Sequence, residues 1–186
     1  MIRIDLPHDS FINVHEDFLK ISLEDVKKEV DWKQSHLNIQ GKMIAFPRLT
    51  SYYGEHPYKY SGIINPARPM PPVIRFISDE INAAGYQCNA VLCNYYRDGS
   101  DSIGWHSDDE KEMPAGHVIS SLSLGDTRTF KVKPKEKGAE YFSFRLKDRD
   151  LFIMGGKFQQ HYLHHISKEE NKGERINLTF RIIQPI

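Results

Sequence analysis

The second half of this sequence is a succession of short segments rich in β-branched and aromatic residues, punctuated by glycines. Segments of this length and composition, following one another without a helical repeat, are typical of antiparallel strands. Seven of them in a row predict a sandwich or barrel of the jelly-roll type. They cover residues 88–96, 118–124, 127–132, 141–146, 150–154, 162–166 and 175–183.

Two helices are predicted before this strand-rich region, which makes the fold α+β but mainly β. Ser22, with an acidic residue two positions later, begins a capped amphipathic segment over about 22–33. A second helix over about 71–84 follows a proline-rich turn and is ended by Gly85. The expected architecture is a double-stranded β-helix (jelly roll) over about 88–184, with both helices packed on it.

Length and charge limit the class of protein. With 186 residues the chain fits a single domain, 1–186, and its 25 basic and 25 acidic residues leave no global field for nucleic acid. It has 2 cysteines, no apparent signal peptide and no apolar run of membrane-spanning length. We therefore expect a monomer of the cytoplasm, or of the nucleus in a eukaryote, that is neither secreted nor bound to a membrane.

A tyrosine-rich segment lies between the predicted helices, at about residues 39–62. Its four tyrosines alternate with basic residues and are interrupted by glycine and proline. This composition predicts hairpins or loops whose aromatic side chains are exposed. The tyrosines are Tyr52, Tyr53, Tyr58 and Tyr60.

His106 and Asp108 are two residues apart, so on an extended strand both side chains leave the same face and could bind one metal ion. A third ligand could come from His161, His164 or His165, near the start of a predicted strand. Two histidines and one carboxylate form the facial arrangement of non-haem Fe(II) oxygenases. The alternative is a set of surface histidines without a metal.

The last predicted strand alternates polar and apolar residues. Arg175, Asn177, Thr179 and Arg181 share one face. In one interpretation this face lies in water. In the other it lines a polar interior that binds a dicarboxylate, because arginine pairs with carboxylates bidentately. Asn94 and Tyr96, also two residues apart, could donate hydrogen bonds to the same guest.

Taken together, these motifs resemble those of the AlkB family of iron- and 2-oxoglutarate-dependent nucleic-acid dealkylases. The resemblance runs from about residue 39 to residue 183. It rests on four motifs in order: Asn94-x-Tyr96-x-Asp98-Gly99, His106-x-Asp108-x-Glu110, His164-His165-Ile166-Ser167, and Arg175-x-Asn177-Leu178-Thr179-Phe180-Arg181.

The resemblance implies a ligand set and a cofactor site. The Fe(II) ligands would be His106, Asp108 and His164, with His165 facing outward. Arg175 would lie near the distal carboxylate of 2-oxoglutarate and Arg181 nearer its metal-bound end. The full set of implied 2-oxoglutarate contacts is Asn94, Tyr96, Arg175, Asn177 and Arg181.

The resemblance also implies a substrate site within a nucleotide-recognition lid at about 39–62. Tyr60 would stack on the target base, with His106 as the opposite wall and Glu110 facing the base. Tyr58 and Arg48 are the other predicted substrate-binding residues.

The implied reaction is oxidative demethylation of N-alkylated bases in DNA or RNA, as in alkylation-damage repair. It would use Fe(II), 2-oxoglutarate and O2 and release succinate, CO2 and formaldehyde. One alternative is a 2-oxoglutarate oxygenase acting on a protein or a small molecule. Another is a non-catalytic jelly-roll module with a structural metal.

Phosphate contacts would have to come from local basic clusters, because the net charge is zero. Each cluster falls on alternate positions, which suits either a rim that follows the nucleic-acid backbone or an ordinary solvated edge. The candidates are Lys131, Lys133, Lys135 and Lys137; Arg145, Lys147 and Arg149; and Lys42 and Arg48 in the tyrosine segment.

Gln40 bears on the strandedness of the substrate. Enzymes that extrude a base from a duplex usually insert an apolar or aromatic wedge into the gap. In family members suited to duplexes the resemblance places an aromatic residue before the Gly41-Lys42 step, where this chain has Gln40. We therefore predict that single-stranded DNA or RNA is the better substrate.

Overall fold

The computed structural model describes residues 1–39, 41–60 and 62–185. Two antiparallel sheets face each other. In spatial order, the larger sheet contains β1 (Ile2–Leu6), β2 (Ser10–His15), β13 (Leu151–Gly156), β10 (Ile119–Gly125), β15 (Arg175–Arg181), β8 (Ala90–Tyr96) and β5 (Leu49–Gly54). The smaller sheet contains β12 (Phe142–Leu146), β11 (Arg128–Pro134), β14 (Tyr162–Ile166) and β9 (Ile103–His106).

The remaining elements are two hairpins and three helices. The hairpins pair β3 (His36–Ile39) with β4 (Lys42–Ala45) and β6 (Tyr58–Tyr60) with β7 (Ile63–Asn65). The helices are α1 (Leu23–Glu29), α2 (Pro72–Ala83) and α3 (Phe158–His161). In the described part of the chain, no helix is both long enough and apolar enough to cross a membrane.

The predicted jelly roll with two helices from the N-terminal half is confirmed. Each of the seven predicted segments became a strand with ends displaced by two residues or fewer. The prediction missed β9, because four residues that include Gly104 carry little strand signal.

The larger sheet extends beyond the predicted core of 88–184. β2 pairs along its length with β13, and β5 pairs with β8. Both strands come from segments that precede residue 88. Their partners are distant in sequence, so local composition could not reveal the pairing.

Both long helices pack on the outer face of the larger sheet. α1 begins with a capping box, in which the Asp25 N–H donates to Ser22 Oγ at 3.1 Å. It ends at Glu29, earlier than predicted. Ile77 of α2 and Val26 of α1 are fully buried in one apolar cluster with Leu178 of β15. This packing holds β15 in the middle of the molecule.

The tyrosine-rich segment is packed inside rather than exposed, which corrects the prediction for its aromatic side chains. Tyr52, Tyr53, Tyr58 and Tyr60 are at most 7% exposed. Tyr52 and Tyr58 lie in tilted contact, with ring centroids 5.4 Å apart. The glycines and prolines of this segment shape turns between short strands, while the rings fill the space beside the jelly roll.

β15 is buried along its whole length. Its apolar residues face the helices, and its polar residues face the space between the two sheets. The water-facing interpretation of this strand is therefore wrong. Burying two arginines, Arg175 and Arg181, in one strand is costly unless a negative partner compensates them.

Candidate metal and cofactor site

Pairing of β9 with β14 brings together the three side chains predicted to bind iron. His106, at the end of β9, lies directly opposite His164 of β14. The Nε2 atoms of both histidines are 3.9 Å from the Asp108 carboxylate oxygens. One ligand atom from each residue lies within 4.8 Å of the other two, so a single cation could contact all three.

The histidine rings are oriented for this role. His106 Nδ1 is 2.8 Å from the Gly104 carbonyl oxygen, which fixes the proton on Nδ1 and leaves the Nε2 lone pair facing Asp108. His164 is held by ring stacking, with the Phe130 centroid 5.3 Å away. Its Nδ1 has no hydrogen-bond partner among the described residues.

The charge states also suit a metal. Burial opposes ionisation of Asp108, but the positive charge of Arg181, 3.6 Å away, and the nearby histidines outweigh it and lower the pKa to about 2. Burial lowers the pKa of His164 to about 3. At neutral pH the site therefore offers one carboxylate and neutral imidazole, the forms that bind a divalent cation.

Two further side chains form hydrogen bonds with the backbone of Asp108, and neither belongs to a motif identified in the sequence. The Asp108 N–H donates to Gln159 Oε1 at 2.9 Å, from the short helix α3. His117 Nε2 lies 2.9 Å from the Asp108 carbonyl oxygen. Because both the N–H and the carbonyl group of Asp108 are hydrogen-bonded, its backbone is fixed and so is the direction of its carboxylate.

The other two histidines considered as third ligands lie elsewhere. His165 projects from the opposite face of β14 and stacks on Trp105, with centroids 4.2 Å apart. His161 stacks on His8 near the N-terminal hairpin, with centroids 4.3 Å apart. Only His164 of the three lies beside His106 and Asp108.

A narrow cavity between the sheets adjoins these residues. Its polar wall comes from β8, β10 and β15, and its apolar wall includes Phe130 and Met154. The polar wall consists of Asn94, Tyr96, Ser121, Asn177, Thr179 and Arg181. Four of these were predicted as 2-oxoglutarate contacts; Ser121 was missed, although it accepts a hydrogen bond from Asn177 Nδ2 at 2.8 Å.

The two buried arginines have unused donors. Arg175 donates to Ser123 Oγ at 2.9 Å, but its Nε and Nη1 have no partner among the described residues. Arg181 Nη1 donates to the Tyr58 hydroxyl at 3.0 Å, while Nη2 has no such partner. Burial lowers the pKa of Arg175 to about 10, which still leaves it charged at neutral pH. Of the two, Arg181 lines the cavity and Arg175 does not. Buried guanidiniums with unused donors are suited to carboxylate guests.

The predicted substrate residues are close to this cavity, though two are more interior than expected. Tyr58 is fully buried against Arg181. Arg48 is 4% exposed and donates to Asn94 Oδ1 at 2.7 Å and to the Tyr60 hydroxyl at 3.1 Å. Its burial contradicts the suggestion that it contacts phosphate at the surface. Arg48 instead joins the polar wall to the tyrosine segment.

Glu110 lies two residues beyond Asp108 and is half-buried. Its Oε2 is buried without a hydrogen-bond partner among the described residues. Burial, reinforced by the charge of Asp108, raises its pKa to about 7. The side chain can therefore change charge near neutral pH and can offer or accept a proton in a hydrogen bond.

The basic clusters differ in their surroundings. Lys147 pairs with Glu16 at 3.0 Å and Arg149 pairs with Asp17 at 2.5 Å, so these charges are compensated. Lys135 pairs with Asp109 at 3.1 Å. Lys131 and Lys133, which are half-buried, and Arg145, which is exposed, have no carboxylate within 4.0 Å in the described ranges. The exposed Lys137 has none either.

Comparisons with known proteins agree with this geometry. A family model described as the 2OG-Fe(II) oxygenase superfamily matches residues 15–181. The human alpha-ketoglutarate-dependent dioxygenase alkB homolog 3 is 38% identical over 190 residues, which cover 96% of this chain and 65% of that protein. The human DNA oxidative demethylase ALKBH2 is 32% identical over 174 residues, covering 86% of this chain and 67% of that protein. The chain belongs to the AlkB family.

Structural similarity supports the fold of this AlkB-family chain. A solved structure described as "The structure of OsALKBH1" has a TM-score of 0.64 and 18% identity, covering 97% of this chain and 100% of that one. The chain spans about two thirds or less of the length of the alkB homolog 3 relatives, 65% for the human and 61% for the mouse protein. Family membership confirms the predicted cofactors, Fe(II) and 2-oxoglutarate with O2.

Proposed function

We propose that this AlkB-family chain is an Fe(II)- and 2-oxoglutarate-dependent dioxygenase that demethylates N-alkylated bases of DNA or RNA in alkylation-damage repair. Its products would be succinate, CO2 and formaldehyde. One observation carries the proposal: a buried cluster of two histidines and a carboxylate adjoins the buried Arg181, which has an unused donor and lines the same cavity. The printed names of the relatives, a dioxygenase and a DNA oxidative demethylase, support it.

In this proposal His106, Asp108 and His164 hold the iron. Bound iron and 2-oxoglutarate together supply the activation of O2 that oxidises the alkyl carbon. The chain supplies orientation: Arg181, beside Asp108, receives the carboxylate nearer the metal. Arg175 receives the distal carboxylate. Asn94, Tyr96 and Asn177 hydrogen-bond the same molecule, completing the predicted set.

The base would enter between Tyr60 and His106, with Glu110 facing it. Both rings line the cavity, and base stacking on such a ring is worth ~1–3 kcal/mol. Because Arg48 bonds both Asn94 and Tyr60, the base-stacking ring is tied to the wall that receives 2-oxoglutarate. Tyr58 would support Arg181 from behind rather than touch the base.

The proposal is tested by measuring succinate and formaldehyde with a methylated oligonucleotide. We expect both products with the native chain and none with Asp108→Ala, because loss of the carboxylate leaves the metal charge uncompensated. Asp109→Ala, at the exposed neighbour, is the control. Formaldehyde release by Asp108→Ala would contradict the metal assignment. Succinate formation that no oligonucleotide accelerates would point to a protein or small-molecule substrate.

Single-stranded nucleic acid is the preferred substrate in this proposal, and a cytoplasmic or nuclear monomer is the expected form. The preference was inferred from Gln40, which lies outside the described residues. A base that is already unpaired does not require the few kcal/mol of unstacking and unpairing that a duplex demands. The absence of a global positive field is compatible with short local contacts to one strand.

A further inference from the structure

The outer face of the smaller sheet carries a cluster of rings and uncompensated cations, called here the basic face. Alternation turns Phe130 and Val132 of β11 inward and Lys131 and Lys133 outward. Lys131 stands between Ser143 of β12 and His165 of β14. The basic face consists of Trp105, Lys131, Lys133, Tyr141, Arg145 and His165.

Each lysine of the basic face lies over an aromatic ring. Lys133 Nζ is 4.5 Å from the Trp105 centroid, and Lys131 Nζ is 5.0 Å from that of Tyr141. Tyr141 is 57% exposed. The pairing leaves the cations accessible and keeps the rings beside them. Proteins bind single-stranded nucleic acids with this combination, because cations contact the phosphates and aromatic rings stack on the bases.

The charge of the basic face is not balanced by the protein. Within the described ranges, no carboxylate lies within 4.0 Å of Lys131, Lys133 or Arg145. The acid at the end of this face, Glu169, is already engaged: its Oε1 accepts the Thr129 N–H at 2.7 Å. Lys147 and Lys157, two cations elsewhere on the surface, have carboxylates at 3.0 and 2.9 Å.

The basic face is continuous with the candidate active site. Trp105 and His106 are adjacent on β9, the edge strand of the smaller sheet. Alternation sends His106 toward Asp108 and Trp105 to the opposite face, where it stacks on His165. A polymer leaving the site around this edge would meet Trp105 first, then the lysines of β11.

We propose that the basic face binds the single-stranded nucleic acid that flanks the target base. The phosphates contact Lys131, Lys133 and Arg145, and flanking bases stack on Trp105 and Tyr141. The inference rests on the proposed function for its choice of partner. It adds a second contact region, on the outside of the sheet whose inside holds His106 and His164.

Binding of an unmethylated, labelled 15-nucleotide single strand, followed by fluorescence anisotropy over a range of salt concentrations, tests the basic face without catalysis. For Lys131→Ala/Lys133→Ala we expect weaker binding and a log-log salt slope shallower by about 1.4, since each phosphate contact on a single strand contributes about 0.7. Lys147→Ala/Lys157→Ala removes the same charge from two compensated sites and should leave the slope unchanged. Equal slopes in both double variants would overturn the proposal.

Fluorescence localises the contact. The chain has 2 tryptophans, so Trp32→Phe leaves Trp105 as the only tryptophan reporter. We expect its emission to be quenched by the oligonucleotide and not by polyglutamate of equal charge. Quenching by both polymers would indicate a surface for acidic proteins and would overturn the proposal, as would quenching by neither.

Measurements of turnover distinguish a failure of this inference from a failure of the proposed function. If both are right, Lys131→Ala/Lys133→Ala raises KM for a methylated oligonucleotide, while kcat/KM for a single methylated nucleoside, too short to reach the basic face, is unchanged. If the proposed function fails, no form of the chain releases formaldehyde, and the anisotropy and quenching results still decide whether the basic face binds single strands. An equal fall in kcat/KM for the oligonucleotide and for the nucleoside would contradict the inference.

Discussion

Asp108 is the residue on which the site's electrostatics depend. It is 3% exposed, and its carboxylate meets Arg181 on one side and two neutral histidines on the other. Removing Arg181 leaves the buried carboxylate without its compensating cation, which costs several kcal/mol in general. The effects of single substitutions here are therefore expected to be large and non-additive.

Arg181→Ala should weaken 2-oxoglutarate binding strongly, in a chain that stays folded but has a lower free energy of unfolding. Truncating one partner of a buried, charge-assisted contact costs about 2–5 kcal/mol, which corresponds to a roughly 30-fold or greater rise in Kd. The Kd is measured by titration calorimetry of 2-oxoglutarate into the Mn²⁺-loaded protein. Arg3→Ala, at an exposed arginine, serves as the control. An unchanged Kd would show that Arg181 does not contact the keto acid.

Glu110→Gln should stabilise the metal-free protein at alkaline pH. The folded-state pKa of Glu110 is raised from 4.5 to about 7, so the folded state binds the proton more tightly than the unfolded state. Native stability therefore falls as pH rises from about 4.5 to about 7, by at most about 3 kcal/mol. Glutamine stays neutral and avoids this loss.

Thermal unfolding in the presence of a chelator measures the effect. The Tm difference between Glu110→Gln and the native chain should grow between pH 4.5 and 7 and then level off. Glu136→Gln, at an exposed position, should show no such trend. A Tm difference independent of pH would mean that Glu110 is not titrating in a buried environment.

At the scale of secondary-structure elements, the register of β14 decides which histidine faces the metal. His164 points inward toward Asp108, and His165 points outward onto Trp105. In a strand, a slip of one residue would exchange the two faces. The short edge strand β9 depends on the same register, because His106 pairs directly with His164.

His164→Ala should therefore lose metal binding and activity, whereas His165→Ala should keep both nearly intact. Co²⁺ absorption reports ligand loss independently of turnover, and formaldehyde release reports activity. The two substitutions are matched controls for each other, since both remove an imidazole from β14. The reverse result would place β14 in the other register.

The β3–β4 hairpin is the element expected to set strandedness. Its two strands are described, but Gln40, between them in sequence, lies outside the described residues. Initial rates on one methylated oligonucleotide, alone and annealed to its complement, should favour the single strand. Gln40→Phe should raise the duplex rate, because a ring can fill the gap left by an extruded base. Equal or faster duplex turnover by the native chain would contradict the prediction.

For the molecule as a whole, sequence patterns predicted local structure better than pairing. Composition located the C-terminal strands, and alternation located the polar faces of β8 and β15, because a residue's face depends only on its neighbours in the chain. The pairing of β2 with β13, the burial of Tyr58 and the Gln159 contact to Asp108 depend on distant residues. The extent of the nucleotide-recognition lid, about 39–62, stays a prediction.

The central place of β15 has a consequence for the order in which the protein can be made. This strand lies between β10 and β8, yet it follows both of them in the chain and leaves the ribosome after them. Until then the two flanking strands present open edges to each other and to other nascent chains. Synthesis interrupted before Arg175 would yield a product without the middle of its sheet and without both arginines.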